Sequence, residues 1–303
     1  MRCRAIAVLI CLCTLAAAML LSGSACENMG ENLGRAAEII EQHPGLIRDE
    51  EDRAKWVQGA RTVRTLKGEV DTPQEVAMGQ SLAVRAFVAF GEPYPDEAVQ
   101  RYVAMVGKLV ALQSERPTLP YSFAVFKSDR PNALALPGGF VLVSTGLLRM
   151  LGSESELACI LGHEICHVAQ KHGIEIVERD TKVRSLVDFG AALDEDVGEY
   201  RELIDQMYAK LTTEGYDQRY EEKADRAGAR YAYRAGYHPE GLMPFLKADA
   251  DSDRPLAFEA YKTHPDSRQR IRDLRDELEK LGDYAAMPKL EARYQRQVLA
   301  KLR

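Results

Sequence analysis

The sequence predicts an α+β fold, mainly α, with one small sheet. Three observations predict it. Apolar residues recur at helical spacing on both sides of the chain's middle, one β-like segment lies between residues 121 and 143, and after Ser153 the chain reads as helix nearly to its end. A chain of 303 residues, 46% hydrophobic and 28% charged, can bury one sizeable core. A net charge of −6 supplies no basic face, so no nucleic-acid partner is expected.

The N-terminus has the layout of a secretory signal. Arg2 and Arg4 precede an apolar run from Ala5 to Leu21, and the small residues Ser22, Gly23, Ser24 and Ala25 follow. Residues 1–25 are therefore expected to be a signal peptide. The run is also just long enough to remain as an anchor in a thin bilayer, and either way the body lies outside the cytoplasm. Cys26 follows the small residues as a lipid-bearing cysteine would. A typical lipobox, however, carries Leu three positions before the cysteine, where Gly23 stands, with Leu21 five before. Lipidation of Cys26 and plain cleavage near Ala25 both remain open; with lipid, Glu27 behind it favours the outer membrane.

Of the six cysteines, Cys3, Cys11 and Cys13 leave with the signal. Cys159 and Cys166 are two helical turns apart, about 10 Å along the axis, too far for a disulfide.

Residues 26–70 are polar and helix-permissive, with a break at His43-Pro44-Gly45, and read as an N-terminal helical extension. The main domain is expected over residues 71–285 and a C-terminal tail over 286–303. Thr72-Pro73-Gln74-Glu75 opens a helix with proline at its first position. A second helix runs from Pro95 to about Ser114 and buries Val99, Val103, Val106 and Val110; Arg116-Pro117 ends it. Tyr121 to Phe126 alternates as a strand. Asn132 to Val143 is an apolar run interrupted by Pro137-Gly138-Gly139, a bend or bulge. Ser153 and Glu156 form a capping box for the next helix. Residues 174–213 read as helical, with Asp194-Glu195-Asp196 as a possible loop.

The helix opened by Ser153 carries His163-Glu164-Ile165-Cys166-His167. Two histidines four apart present both imidazoles on one face, within reach of a single tetrahedral zinc ion. Glu164 lies beside such an ion, where it can take a proton from water that the metal has acidified. The competing reading is two histidines on an ordinary amphipathic helix. Ile160, Leu161, Ile165 and Val168 make the surroundings apolar, and buried histidines there would need partners. A third ligand is required, and Glu221 in Glu221-Glu222-Lys223-Ala224-Asp225 is the best candidate. Asp225, one turn on, can hydrogen-bond the far nitrogen of a ligand histidine. By composition alone this stretch reads equally well as a solvated helix face.

These motifs make the chain resemble the HtpX/CAAX-prenyl-protease-like gluzincin peptidases, especially the soluble or lipoprotein members of the bacterial envelope. The matching stretches are Asn132-Ala133-Leu134-Ala135-Leu136-Pro137-Gly138-Gly139, then Gly146-Leu147-Leu148, then Leu161 to His167. Glu221 to Asp225, and His264-Pro265 with Arg270-Ile271, complete the order. The likeness covers roughly residues 72–281. It implies a zincin-like domain with one Zn2+ on His163, His167 and Glu221, and with Asp225 behind the ligands. It also implies that Asn132, Ala133, Leu134, Ala135, Pro137 and Gly138 form an edge strand bordering the cleft, to which an extended polypeptide adds as a further strand.

In relatives a histidine at the position of His264 sits near the metal, closing it off or steadying the oxyanion; the bland alternative is a helix boundary at Pro265 with Ile271, Leu274, Leu278 and Leu281 behind it as a core stripe. Arg270 pairs with a carboxylate or assists the oxyanion. Two departures stand out: relatives commonly carry Ser-Arg where Asp217 and Gln218 stand here, and a small residue where Cys166 stands. Too little chain follows the shared region for the helical repeats that some relatives use to bind partners, so none are expected.

The resulting expectation is a zinc endopeptidase acting on misfolded or unassembled envelope proteins, on the periplasmic side and lipid-anchored to the outer membrane through Cys26. The rival from another class is a chaperone-like assembly factor with His264 latched onto the metal. A purely structural zinc site is weaker, because it has no use for Glu164.

Overall fold

The computed structural model describes residues 72–178, 197–213, 216–250 and 267–302, all within one compact unit. The expected signal peptide, Cys26, the N-terminal extension, the Asp194–Asp196 loop and His264 lie outside the described residues. Among the described residues no helix is long and apolar enough to cross a membrane.

Helix α1 spans Thr72–Phe90 and α2 spans Glu97–Ala111. Asp96 rather than Pro95 starts α2, because its carboxylate accepts from the backbone N–H groups of Ala98 (2.8 Å) and Val99 (3.1 Å). Val99, Val103, Val106 and Val110 face the core as their spacing requires. The sheet follows: β1 (Ser122–Phe126), β2 (Ala133–Leu136) and β3 (Phe140–Ser144), in spatial order β1-β3-β2. The alternating segment is thus β1, parallel to β3. The interrupted apolar run is a hairpin, β2 antiparallel to β3, with Ala133 opposite Val143 and Leu136 opposite Phe140. Its hinge is a short 3-10 turn over Pro137–Gly139, with Gly138 in the left-handed region (φ 72°). Buried Glu75 of α1 fixes this hinge. Its Oε1 accepts from the Gly138 N–H at 3.1 Å, and both oxygens take the Arg116 guanidinium at 3.0 and 2.8 Å.

After the short α3 (Thr145–Met150), helix α4 runs over Glu154–Ala169 and is buried along nearly its whole length. The forward half of its capping box forms as expected, with Ser153 Oγ accepting from the Glu156 N–H at 3.2 Å. The return half reaches the Gly152 N–H instead, at 3.0 Å from Glu156 Oε2. Helices α5 (His172–Glu178), α6 (Val197–Thr213), α7 (Gln218–Arg234), α8 (Met243–Ala250), α9 (Ser267–Leu278) and α10 (Glu291–Gln297) complete the unit. The stripe expected on α9 is present: Leu274 and Leu278 are buried, with Ile271 and Leu281 packed against the core.

Helices α4 and α7 cross at a glycine pair. A Cβ on Gly228 would lie 2.8 Å from both Cys159 O and His163 N, and one on Gly162 would lie 2.9 Å from Gly228 O. Backbone-to-backbone contact at this crossing brings the polar residues of α7 up to those of α4.

Residues 286–302, expected as a tail, are woven into the same core. Tyr294 is fully buried and donates its hydroxyl to Leu148 O at 2.8 Å. Arg293 pairs with Glu154, the first residue of α4, and Tyr102 and Tyr237 donate to the same carboxylate. The Ser155 N–H donates to Lys289 O at 3.1 Å. The far end of the chain therefore holds the start of the histidine-bearing helix.

Candidate metal centre

His163 and His167 project from one face of α4, as the four-residue spacing demands, with their Nε2 atoms 3.1 Å apart. The α4–α7 crossing carries Glu221 to them: its Oε2 is 3.5 Å from His163 Nε2 and its Oε1 is 3.3 Å from His167 Nε2. All three residues are buried, and one ligand atom from each lies within 4.8 Å of the others.

The residues behind these atoms decide what the cluster can hold. Asp225, one turn beyond Glu221, places Oδ1 2.9 Å from His163 Nδ1. Arg270 of α9 clamps the same carboxylate from both sides, with Nε and Nη2 each 2.7 Å from it, and its Nη1 is 3.6 Å from Glu221. Arg270 is thus paired with Asp225 in the buried interior. Burial favours a neutral Asp225, but the charge and hydrogen bonds of Arg270, then His163, outweigh it and hold the carboxyl below its ordinary range. The Asp225 carboxylate thus engages His163 Nδ1 and leaves Nε2 turned towards His167 and Glu221.

Two nitrogen lone pairs and a carboxylate converging in a dry pocket repel one another unless a proton or a metal cation sits among them. A tetrahedral ion with bonds of about 2.0–2.1 Å sets its ligand atoms about 3.3–3.4 Å apart, close to the 3.1, 3.3 and 3.5 Å found here. Borderline nitrogen and oxygen donors in this arrangement suit zinc.

Glu164 is buried beside the cluster. Strand β2 packs on α4 and, like β1, is an outer strand of the sheet; among the described residues no strand pairs with its free edge. The Ser144 N–H donates to Asn132 O at 2.8 Å, so by alternation Asn132 and Leu134 turn their backbone groups to β3, while Ala133 and Ala135 turn theirs to the open edge. Asn132 itself is buried, and Pro137 and Gly138 form the hinge.

Two further residues join the site that the sequence did not single out. Tyr216 stacks on the His167 ring, centroids 3.9 Å apart, and donates its hydroxyl to Ala135 O at 3.4 Å on the open edge of β2. Burial, then the Glu164 and Glu221 carboxylates, push its phenol well above its ordinary pKa. His172 is buried, with Nδ1 2.9 Å from His167 Nδ1 and its ring stacked on Tyr220 at 4.2 Å. Burial, then His167, push its pKa down to about 3. The available signals were a further histidine five residues after His167 and an aromatic five before Glu221.

The open-edged strand lying along a helix that carries both histidines sorts this domain into the zincin class, because that pairing is what sets an extended chain beside a metal. Residues 97–278 match Peptidase family M48, and the chain belongs to that family. It is 29% identical over 217 residues to the beta-barrel assembly-enhancing protease of Yersinia pestis, a match covering 67% of this chain and 43% of that protein. It is also 29% identical over 179 residues to the mitochondrial metalloendopeptidase OMA1 of Schizosaccharomyces pombe, covering 58% of this chain and 52% of that one. With the metalloprotease LoiP of Escherichia coli the identity is 24% over 162 residues, covering 52% and 63%. The matched region thus spans about half the length of these relatives.

Proposed function

We propose that the chain is a zinc-dependent endopeptidase that hydrolyses peptide bonds of misfolded or unassembled cell-envelope proteins. The observation that carries this reading is the buried His163–His167–Glu221 cluster with Glu164 at its side and the open edge of β2 along it. The likeness to beta-barrel assembly-enhancing proteases supports the envelope setting.

One Zn2+ held by His163, His167 and Glu221 would supply a Lewis acid for the scissile carbonyl and lower the pKa of water. The chain's own residues do the rest. Ala133 and Ala135 offer backbone N–H and C=O groups to an extended polypeptide, which binds as an added strand whatever its side chains. The Tyr216 hydroxyl holds Ala135 O until that pairing replaces it. A Glu164 carboxylate oxygen takes the proton of the attacking water and returns it to the leaving amide nitrogen. Arg270 and Asp225 hold the His163 ring in place. His264, outside the described residues, steadies the oxyanion; His264→Ala should then lose cleavage, whereas a gain would mark it as a latch. Cys26 carries lipid that holds the body at the outer membrane, facing the periplasm.

Metal removal tests the proposal. Chelation should abolish casein cleavage by the purified protein, and one equivalent of Zn2+ should restore it. Cleavage that persists in the stripped protein would overturn it.

A further inference from the structure

Metal-ligand histidines need a partner at their second nitrogen, and the two candidates here have unlike ones. His163 Nδ1 faces the arginine-clamped carboxylate of Asp225 at 2.9 Å, whereas His167 Nδ1 faces the ring nitrogen Nδ1 of His172 at the same distance. Only one proton fits between two Nδ1 atoms 2.9 Å apart. If His167 Nε2 is to bind a metal it must be bare, so the proton of His167 sits on Nδ1 and His172 Nδ1 must accept it.

Local structure is arranged for this contact. On a continuous helix a residue five positions on is rotated about 140° from His167 and points elsewhere. Here α4 ends at Ala169, and Lys171 adopts the left-handed conformation (φ 56°). The turn brings His172 back against His167, where Tyr220, the neighbour of Glu221 on α7, stacks on its ring. Tyr220 is itself tied to Glu175 of α5 by its hydroxyl.

We propose that His172 is a positioning residue that fixes the tautomer of His167, accepting its Nδ1–H so that the bare Nε2 faces the metal, and that it does so as a neutral counterpart of Asp225. The consequence is an asymmetric centre: His163 is backed by a charged pair and His167 by a neutral acceptor, which makes His167 the less basic and more easily released ligand. The proposal rests on the zinc reading above.

Asparagine and glutamine separate acceptor from bulk, because an Asn oxygen can stand where Nδ1 stands, while a Gln amide stands nearer Nε2. Zinc affinity, measured by chelator competition on the full chain, should fall about 10–100-fold in His172→Gln and stay within a few-fold of wild type in His172→Asn. Equal affinity in all three proteins, or equal loss in both variants, would overturn the proposal. Should His172→Gln fail to fold, long-range 1H–15N spectra of the zinc-loaded wild type decide alone. A proton on His172 Nε2 supports the assignment, and one on Nδ1 overturns it. A wild type that takes up no zinc would overturn the zinc reading and this inference together; a wild type that binds zinc tightly, with His172→Gln unchanged, overturns only this one.

Discussion

Asp225 serves two partners at once, orienting His163 through Oδ1 and neutralising Arg270 through both oxygens. The pair is shielded from water, with Arg270 only 3% exposed and Asp225 1%. Removing one member of such a pair leaves the other charge buried and uncompensated. Arg270→Met should therefore cost about 3–5 kcal/mol in denaturant unfolding of the metal-free protein. It should also weaken zinc binding, because Asp225 then no longer holds the His163 ring; an unchanged midpoint would show that Arg270 is not needed there. At this scale much of the site was legible. His163, Glu164 and His167 lie on one helix, where spacing alone fixes which side chains share a face. Glu221 and Asp225 rested on family likeness, since their composition suits a solvated helix. His172 was not legible, because helical periodicity points it away from His167 and only the left-handed Lys171 returns it. Tyr216 stands outside the helices on either side of it, where no periodicity describes its direction.

The crossing of α4 and α7 decides whether the three ligand atoms meet. In an exposed helix interior, exchanging glycine for alanine raises stability by roughly 0.5–1 kcal/mol. At Gly228 the added Cβ would meet the backbone of Cys159 and His163 at 2.8 Å, and neither atom can swing away as a side chain would. Gly228→Ala should reverse the usual sign, costing about 1–3 kcal/mol, and lower zinc affinity by pushing Glu221 away from His163. A stabilised variant with unchanged zinc affinity would contradict the close-contact role. Helix positions and a bend at Pro137–Gly139 could be read from apolar spacing and turn residues, though not that the bend closes a hairpin. This crossing could not, because the two glycines meet only after the chain has folded back between them.

Over the whole molecule, the last residues act as part of the domain. The tie from Arg293 to Glu154, and the burial of Tyr294 under α3, hold the first turn of α4 from outside the stretch that matches the family. The segment looks like a tail in the sequence because it is short and polar, with its few apolar residues too sparse for a period. Tyr294→Ala should cost about 3–5 kcal/mol in chemical denaturation, against well under 1 kcal/mol for a true appendage. The domain as a whole presents Glu164 beside the three ligand atoms and the open edge of β2, and its assignment as the proton carrier is the claim on which the function depends. The most direct measurement is casein cleavage by Glu164→Gln and wild type, both loaded with zinc and matched for zinc content. The expected result is equal zinc binding with cleavage reduced by at least about 10²-fold; a variant that keeps its zinc and cleaves at the wild-type rate would contradict it.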